Sequence, residues 1–166
     1  EDPFPLSTNF YPNAIYPEGY KNLVQFDLTP VPTFTYRIRN ITIEKSVFMV
    51  YGENTTVIRY RISASGATSA APLFLKVRVL IAFRDDHWLT HENPALNTHY
   101  EPTPRGVCLR PYEGLPPLYL FHNAQSMDKD FFWYKNMEYP KEIERGLEAH
   151  EDHFSPFALN FDVSRG

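Results

Sequence analysis

In the run "LFLKVRVLIAF", residues 73–83, apolar side chains recur at every second position. Leu73, Leu75, Val77, Val79, Ile81 and Phe83 form one fully apolar side, while Phe74, Lys76, Arg78, Leu80, Ala82 and the following Arg84 fall on the other. Period two marks a strand with one buried face, so the run predicts one long strand. Two more such runs precede it. "ITIEKSVFMVY" and "TTVIRYRIS" are rich in β-branched and aromatic residues and are separated by Gly52-Glu53-Asn54, which predicts a hairpin. In its second arm Ile58, Tyr60 and Ile62 should face the core. Arg59 and Arg61 should then point away, solvated or paired with Glu44.

Further strands are predicted in "NLVQFDL", "FTYRIR", "GVCLRP", "PLYLFHN", "DFFWYK" and "FALNFDV", spaced by turn-forming residues at intervals typical of all-β sandwiches. Fifteen prolines suit that class, because proline is tolerated at sheet edges and damages helix interiors. The expectation is an all-β fold, an antiparallel two-sheet β-sandwich, forming one domain over residues 1–166. One short amphipathic helix is expected near 140–150, in "PKEIERGLEAHEDHF". Pro140 suits a first helical turn, and Ile143 and Leu147 share a face. Gly146 should weaken it, and Pro156 ends the region. The small-residue stretch from Ser63 to Pro72 reads as a flexible loop.

Composition removes several function classes. A hydrophobic fraction of 43% predicts a folded chain, and a formal charge of -4 supplies no basic field for nucleic acid. No apolar run approaches the roughly 20 residues of a membrane helix. The single Cys108 excludes an internal disulfide and fits a reducing, cytoplasmic compartment; at its apolar strand position it reads as a small buried hydrophobe. The triplets at Asn40 and Asn54 read as ordinary strand and turn residues. Glu1-Asp2-Pro3 looks like a place where a longer protein was cut.

The chemistry-bearing residues concentrate after Phe83, in "RDDHWLTHEN". His87 and His91 are four apart, as zinc ligands on a helix would be, with His99 as a third ligand from a loop. However, Trp88 stands where the helical zinc signature has Glu, so no metal site is expected. Asp85 and Asp86 would point to opposite faces of a strand, a poor arrangement for the paired carboxylates of a glycosidase. Glu142, Glu144, Glu148, Glu151 and Asp152, set beside Lys141 and Arg145, read as a solvated charged face. No nucleophile elbow or phosphate-cradling glycine loop occurs, so no cofactor is expected. Trp88 and "FFWYKNMEY" could stack on sugar rings, as in a freestanding carbohydrate-binding module.

Several stretches together resemble one family, the N-terminal β domain of bacterial and archaeal glycogen debranching enzymes of the amylo-α-1,6-glucosidase type. They are "LSTNFYPNAIYPEGYKNLVQFDLTPVPTFTY", "IEKSVFMVYGENTTVIRYRI", "LIAFRDDHWLTHENPALN", "GLPPLYL", "FFWYKNMEYPKEIERGLEAHEDHFSP" and "FALNFDV", in the family's order over nearly the whole chain. The resemblance implies a β supersandwich preceding a helical toroid in the full enzyme. The carboxylates that hydrolyse the α-1,6-linked glucose would lie in that toroid, so this chain itself would be inactive. It also implies that the chain is the later part of the family's domain, because the upstream Gly- and Arg-containing segment has no counterpart before Glu1. Its partners would be the toroid of the same polypeptide and glycogen or another α-glucan. Under that implication Arg84, Asp85, Asp86, His87, Trp88 and Glu92 should shape a surface facing the toroid or the substrate, with Arg84 paired to an acid and His87 and Trp88 packed. Trp133, Tyr134, Glu142 and Arg145 should lie on the same side.

Overall fold

The computed structural model describes residues 3–65 and 72–164. Most of the small-residue stretch expected to be a flexible loop lies outside these residues. The fold is nearly all β, as expected. Among the described residues there are fourteen strands, one short 3-10 helix and one short α-helix, and the paired strands detailed below run antiparallel. This is consistent with a β-sandwich. The chain divides into two compact units, residues 1–9 with 14–72, and residues 10–13 with 73–165.

The N-terminal part carries β1 (Thr8–Tyr11), β2 (Ala14–Glu18), the 3-10 turn Gly19–Asn22, β3 (Leu23–Asp27), β4 (Thr33–Ile38), β5 (Ile41–Met49) and β6 (Thr56–Ala64). The last four form a sheet in the order β3-β4-β5-β6. Tyr36, Ile43 and Ile62 are aligned across β4, β5 and β6, and Tyr36 and Ile43 form the buried cluster with Ile38. The β5–β6 hairpin follows the expected register, with Gly52 at φ 78 in its turn. Arg61 pairs with Glu44 at 3.5 Å, as its outward position predicts. Ile58 departs from expectation: it is exposed, because its register partner Val47 lies near the hairpin tip, beyond the buried cluster. At Gly19 a side chain would collide with the Leu6 backbone, 2.3 Å from where a Cβ would stand, so this close chain crossing requires glycine.

The second unit holds β7 (Phe74–Arg78), β8 (Tyr100–Thr103), β9 (Gly106–Leu109), β10 (Leu118–Phe121), β11 (Ser126–Asp128), β12 (Phe132–Glu138), α1 (Pro140–Glu144), β13 (His150–Ser155) and β14 (Ala158–Asp162). Its sheets run β11-β14-β7, β10-β9-β8 and β12-β13. Ile81, Leu96, Val107, Leu109, Phe154, Phe157 and Leu159 form the core, joined by Trp133 at its margin. Cys108 is buried on β9, as expected of a small hydrophobe.

The long strand predicted over residues 73–83 is interrupted. β7 pairs with β14 as far as Arg78, and then Ile81 makes a single bridge to Phe154 of β13. The facing chain is the same continuous segment, with the register slipped by one residue between Arg78↔Ala158 and Ile81↔Phe154, where Pro156 has no N–H to offer a ladder. Val77, Val79 and Ile81 still reach the core and Leu75 is half-buried, although Arg78 and Leu80 between them are half-buried too. At Phe83 the backbone enters the left-handed region, φ 49, and the chain leaves the sheet.

α1 is shorter than the helical pattern suggested. Gly146, at φ 71, ends it: its amide bonds Ile143 O at 2.9 Å, and the Leu147 amide bonds Glu142 O at 3.0 Å. The following "HEDHFS" is strand β13, and Glu151 and Asp152 are buried in it. The expectation that these two acids belong to a solvated charged face is therefore corrected. On a strand packed beneath a loop, their carboxylates are taken up by main-chain and guanidinium donors.

Candidate functional site

β13 is the foundation of the site. Glu151, with 0% exposure, receives the Arg84 guanidinium through two bonds, Nε to Oε1 at 2.6 Å and Nη2 to Oε2 at 3.1 Å. The Thr90 amide donates to Oε1 at 3.1 Å, and the Tyr139 hydroxyl donates to Oε2. Because the phenol proton is committed to Glu151, the 2.8 Å contact between Tyr139 Oη and His153 Nε2 has the imidazole as donor. Burial pushes the Glu151 carboxyl up, but the hydrogen bonds from Arg84, Tyr139, Thr90 and His153 outweigh it and hold its pKa down at about 2. Burial, followed by the adjacent Glu151 charge, raises the Tyr139 phenol, which stays protonated as a donor.

Asp152 performs the companion role. Its carboxylate accepts from the Glu92 amide at 2.9 Å and the Asn136 amide at 2.8 Å, and its own amide donates to Thr90 O at 2.9 Å. Burial raises its carboxyl, and the two amides, with His91 and Lys135 nearby, bring it below the ordinary value. Asn136, at φ 55, marks the bulge where the β12–β13 register shifts, so one side chain caps both that bulge and the loop above it. Lys135 and Glu92 add an ion pair at the rim.

The loop after Phe83 thus lacks regular structure of its own and is fastened to β13. Arg84 also donates through Nη1 to Asp85 O at 3.0 Å and Asp86 O at 3.1 Å, and Asp85 Oδ1 accepts from the His87 amide at 3.0 Å. The resulting tight turn projects His87 and Trp88 into solvent, Trp88 at 70% exposure, where packing was expected. Arg84, expected to pair with Asp86 or another acid, reaches inward to Glu151, its side chain remaining partly exposed.

Between this loop and the α1 segment lies an open groove of about 1060 Å³. It is lined on one side by Arg84, Trp88 and Leu89 and on the other by Tyr139, Pro140 and Leu147. Asp86, His87, Glu142 and Glu148 supply polar groups along it. Two segments expected to share a side are therefore brought together. Arg145 is exposed and bonded to Glu142 at 3.0 Å. Trp133 packs against Phe154, ring centroids 5.4 Å apart, and Tyr134 lies half-buried beside Phe132, so neither lines the groove.

The three histidines do not gather. Among the described residues, Asp85, Asp86 and His87 are the group close enough to share an ion, all three exposed. His91 turns towards Asp152 at 3.9 Å, and the His99 amide is taken by its neighbour Asn97. The residues missed from sequence are Tyr139, Glu151, Asp152 and His153. The only signal for β13 was apolar Phe154 among polar residues shortly before Pro156, because its buried positions are mostly polar and do not alternate.

These features define an antiparallel all-β protein with an open, aromatic-edged groove braced from beneath by the ion pair of Arg84 with buried Glu151. The family model described as "Glycogen debranching enzyme N terminal" matches residues 1–166, and the chain belongs to that family. Neither a curated protein nor a solved structure matches it. Among the described residues no helix is long and apolar enough to cross a membrane.

Proposed function

We propose that this chain is a non-catalytic β domain of a cytoplasmic glycogen debranching enzyme, an amylo-α-1,6-glucosidase. It supports a catalytic helical toroid of the same polypeptide and helps to position α-glucan. Membership of the family over the whole chain supports the parent activity. The observation that carries the positioning role is the groove: exposed Trp88 offers a flat apolar face for a sugar ring, with Asp86, His87 and Glu142 close by for hydroxyl groups.

The non-catalytic reading rests on the acids. A glycosidase needs one carboxyl protonated in an apolar setting and a second placed across the sugar. Glu151 is buried but fully engaged by donors and held ionised, while Asp86 is 85% exposed at its side chain. The test is substitution of Asp86, His87 and Trp88 singly by Ala in the full-length enzyme. The expected result is a raised KM for branched α-glucan. Wild-type kinetics in all three would remove the positioning role.

The same exposed Trp88 favours a second reading, a freestanding carbohydrate-binding module. Isothermal titration of this chain with maltooligosaccharides separates the two, because saturable binding by the chain alone supports the module.

A further inference from the structure

The groove has two walls, and both reach the same buried carboxylate. From the loop wall, Arg84 and the Thr90 amide converge on Glu151; from the α1 wall, the Tyr139 hydroxyl does. The two oxygens divide the work. Oε1 serves the loop wall alone, through Arg84 Nε and Thr90 N, whereas Oε2 takes both Arg84 Nη2 and Tyr139 Oη. Tyr139 is a stiff arm, because its main chain is tied at both ends of the α1 segment. Its amide donates to Ala149 O at 2.9 Å, and its carbonyl accepts from the amides of Glu142 at 3.0 Å and Ile143 at 3.2 Å. Arg84 is equally constrained, its remaining guanidinium nitrogen being held by Asp85 O and Asp86 O in the turn that carries Trp88.

We propose that Glu151 sets the width of the groove by coupling its two walls, with Tyr139 as the positioning residue for the α1 wall and Arg84 for the loop wall. The proposal rests on the reading that α-glucan occupies the groove. An open groove between a loop and a single helical turn has little intrinsic rigidity, since neither wall has an extensive core of its own. A ligand that must touch both walls loses affinity when they move independently, because ordering them is then charged against binding. One zero-exposure carboxylate shared by both walls removes that freedom, and its donors satisfy it only when both walls are in register.

The distinguishing property is a cross-wall effect. Tyr139→Phe deletes one hydroxyl and keeps the ring, and Arg84→Lys keeps the charge and gives up the fork. Amide hydrogen exchange of the 166-residue chain then reads each wall: Thr90 and Asp152 for the loop, Tyr139 for α1. Coupling predicts that Tyr139→Phe speeds exchange at Thr90 about tenfold and that Arg84→Lys speeds it comparably at the Tyr139 amide. If each variant loosens only its own wall, Glu151 is an ordinary buried anchor and the proposal is wrong. Should one variant fail to fold, the other still decides the matter.

In the full-length enzyme, Tyr139→Phe should raise KM for a branched maltooligosaccharide about fivefold with kcat unchanged. Combined with Trp88→Ala, the total loss should be smaller than the product of the single losses. Cross-wall exchange with unchanged KM in both single variants would retain the coupling and overturn the glucan reading. Fully multiplicative losses would overturn the positioning role.

Discussion

Arg84→Ala tests the foundation of the site. Glu151 is wholly buried, and its pKa falls from 4.5 to about 2, which corresponds to about 3 kcal/mol favouring the ionised form in the folded chain. Arg84 is itself partly exposed, so the roughly 3 to 5 kcal/mol typical of breaking a fully buried ion pair is an upper bound. The variant leaves the carboxylate with Tyr139, Thr90 and His153, so only part of that total, about 2 kcal/mol, is expected to be lost at pH 7, a fall in Tm of roughly 4 to 8 °C for a chain of this size. The pH dependence is the sharper part. The folded pKa lies below the unfolded one, so this stabilisation is fully present above about pH 4.5 and is lost as pH falls towards about 2, where the unfolded chain binds the extra proton. Wild type and Arg84→Ala should therefore differ most at neutral pH and converge in acid. Urea unfolding at pH 7, 4 and 2.5 measures it. A gap below about 1 kcal/mol at pH 7, or one that does not change with pH, would refute the account of Glu151 as an ionised anchor.

Trp88→Ala should leave stability within about 0.5 kcal/mol of wild type, because the ring is mostly in water, while weakening α-glucan binding by the full-length enzyme about tenfold; thermal unfolding and titration check the two halves. Gly106→Ala should cost about 3 kcal/mol in chemical denaturation, since the new methyl would meet Leu120 O at 2.0 Å and force β9 away from β10. Phe157→Ala, at a fully buried ring that meets Tyr100 edge-on at 5.3 Å, should cost about 4 kcal/mol by the same assay.

The strands that alternate cleanly were legible because one of their faces is apolar throughout. The β5–β6 hairpin and the inward row Leu75, Val77, Val79 and Ile81 follow directly from that rule. What was illegible depended on partners remote in sequence. The break after Arg78 follows from Pro156 on the facing strand, nearly eighty positions later, and the exposure of Ile58 follows from where the buried cluster of its sheet ends. β13 was the largest omission. Its adjacent acids Glu151 and Asp152 are both buried, so no hydrophobic period of two marks the strand, and a hydrophobicity pattern counts buried acids as surface.

The same misreading explains why "RDDHWLTHEN" looks like an active site. A loop without regular structure must find donors and acceptors for its main chain, and a buried acid must find donors for its oxygens. Here the two requirements meet: Glu151 accepts the Thr90 amide and Asp152 accepts the Glu92 amide. The polar density of the loop is therefore divided by role. Arg84, Thr90 and the Glu92 amide face inward and hold the loop, Asp85 shapes its turn, and Asp86, His87 and Trp88 are left outward at the groove. A ligand on this surface should consequently be sensitive to the outward trio through direct contact and to Glu151 only through geometry. Glu151→Gln should reproduce that split, weakening the brace and lowering stability in neutral solution, with the difference from wild type shrinking as pH falls towards about 2, because protonation progressively removes the same charge from the wild-type chain.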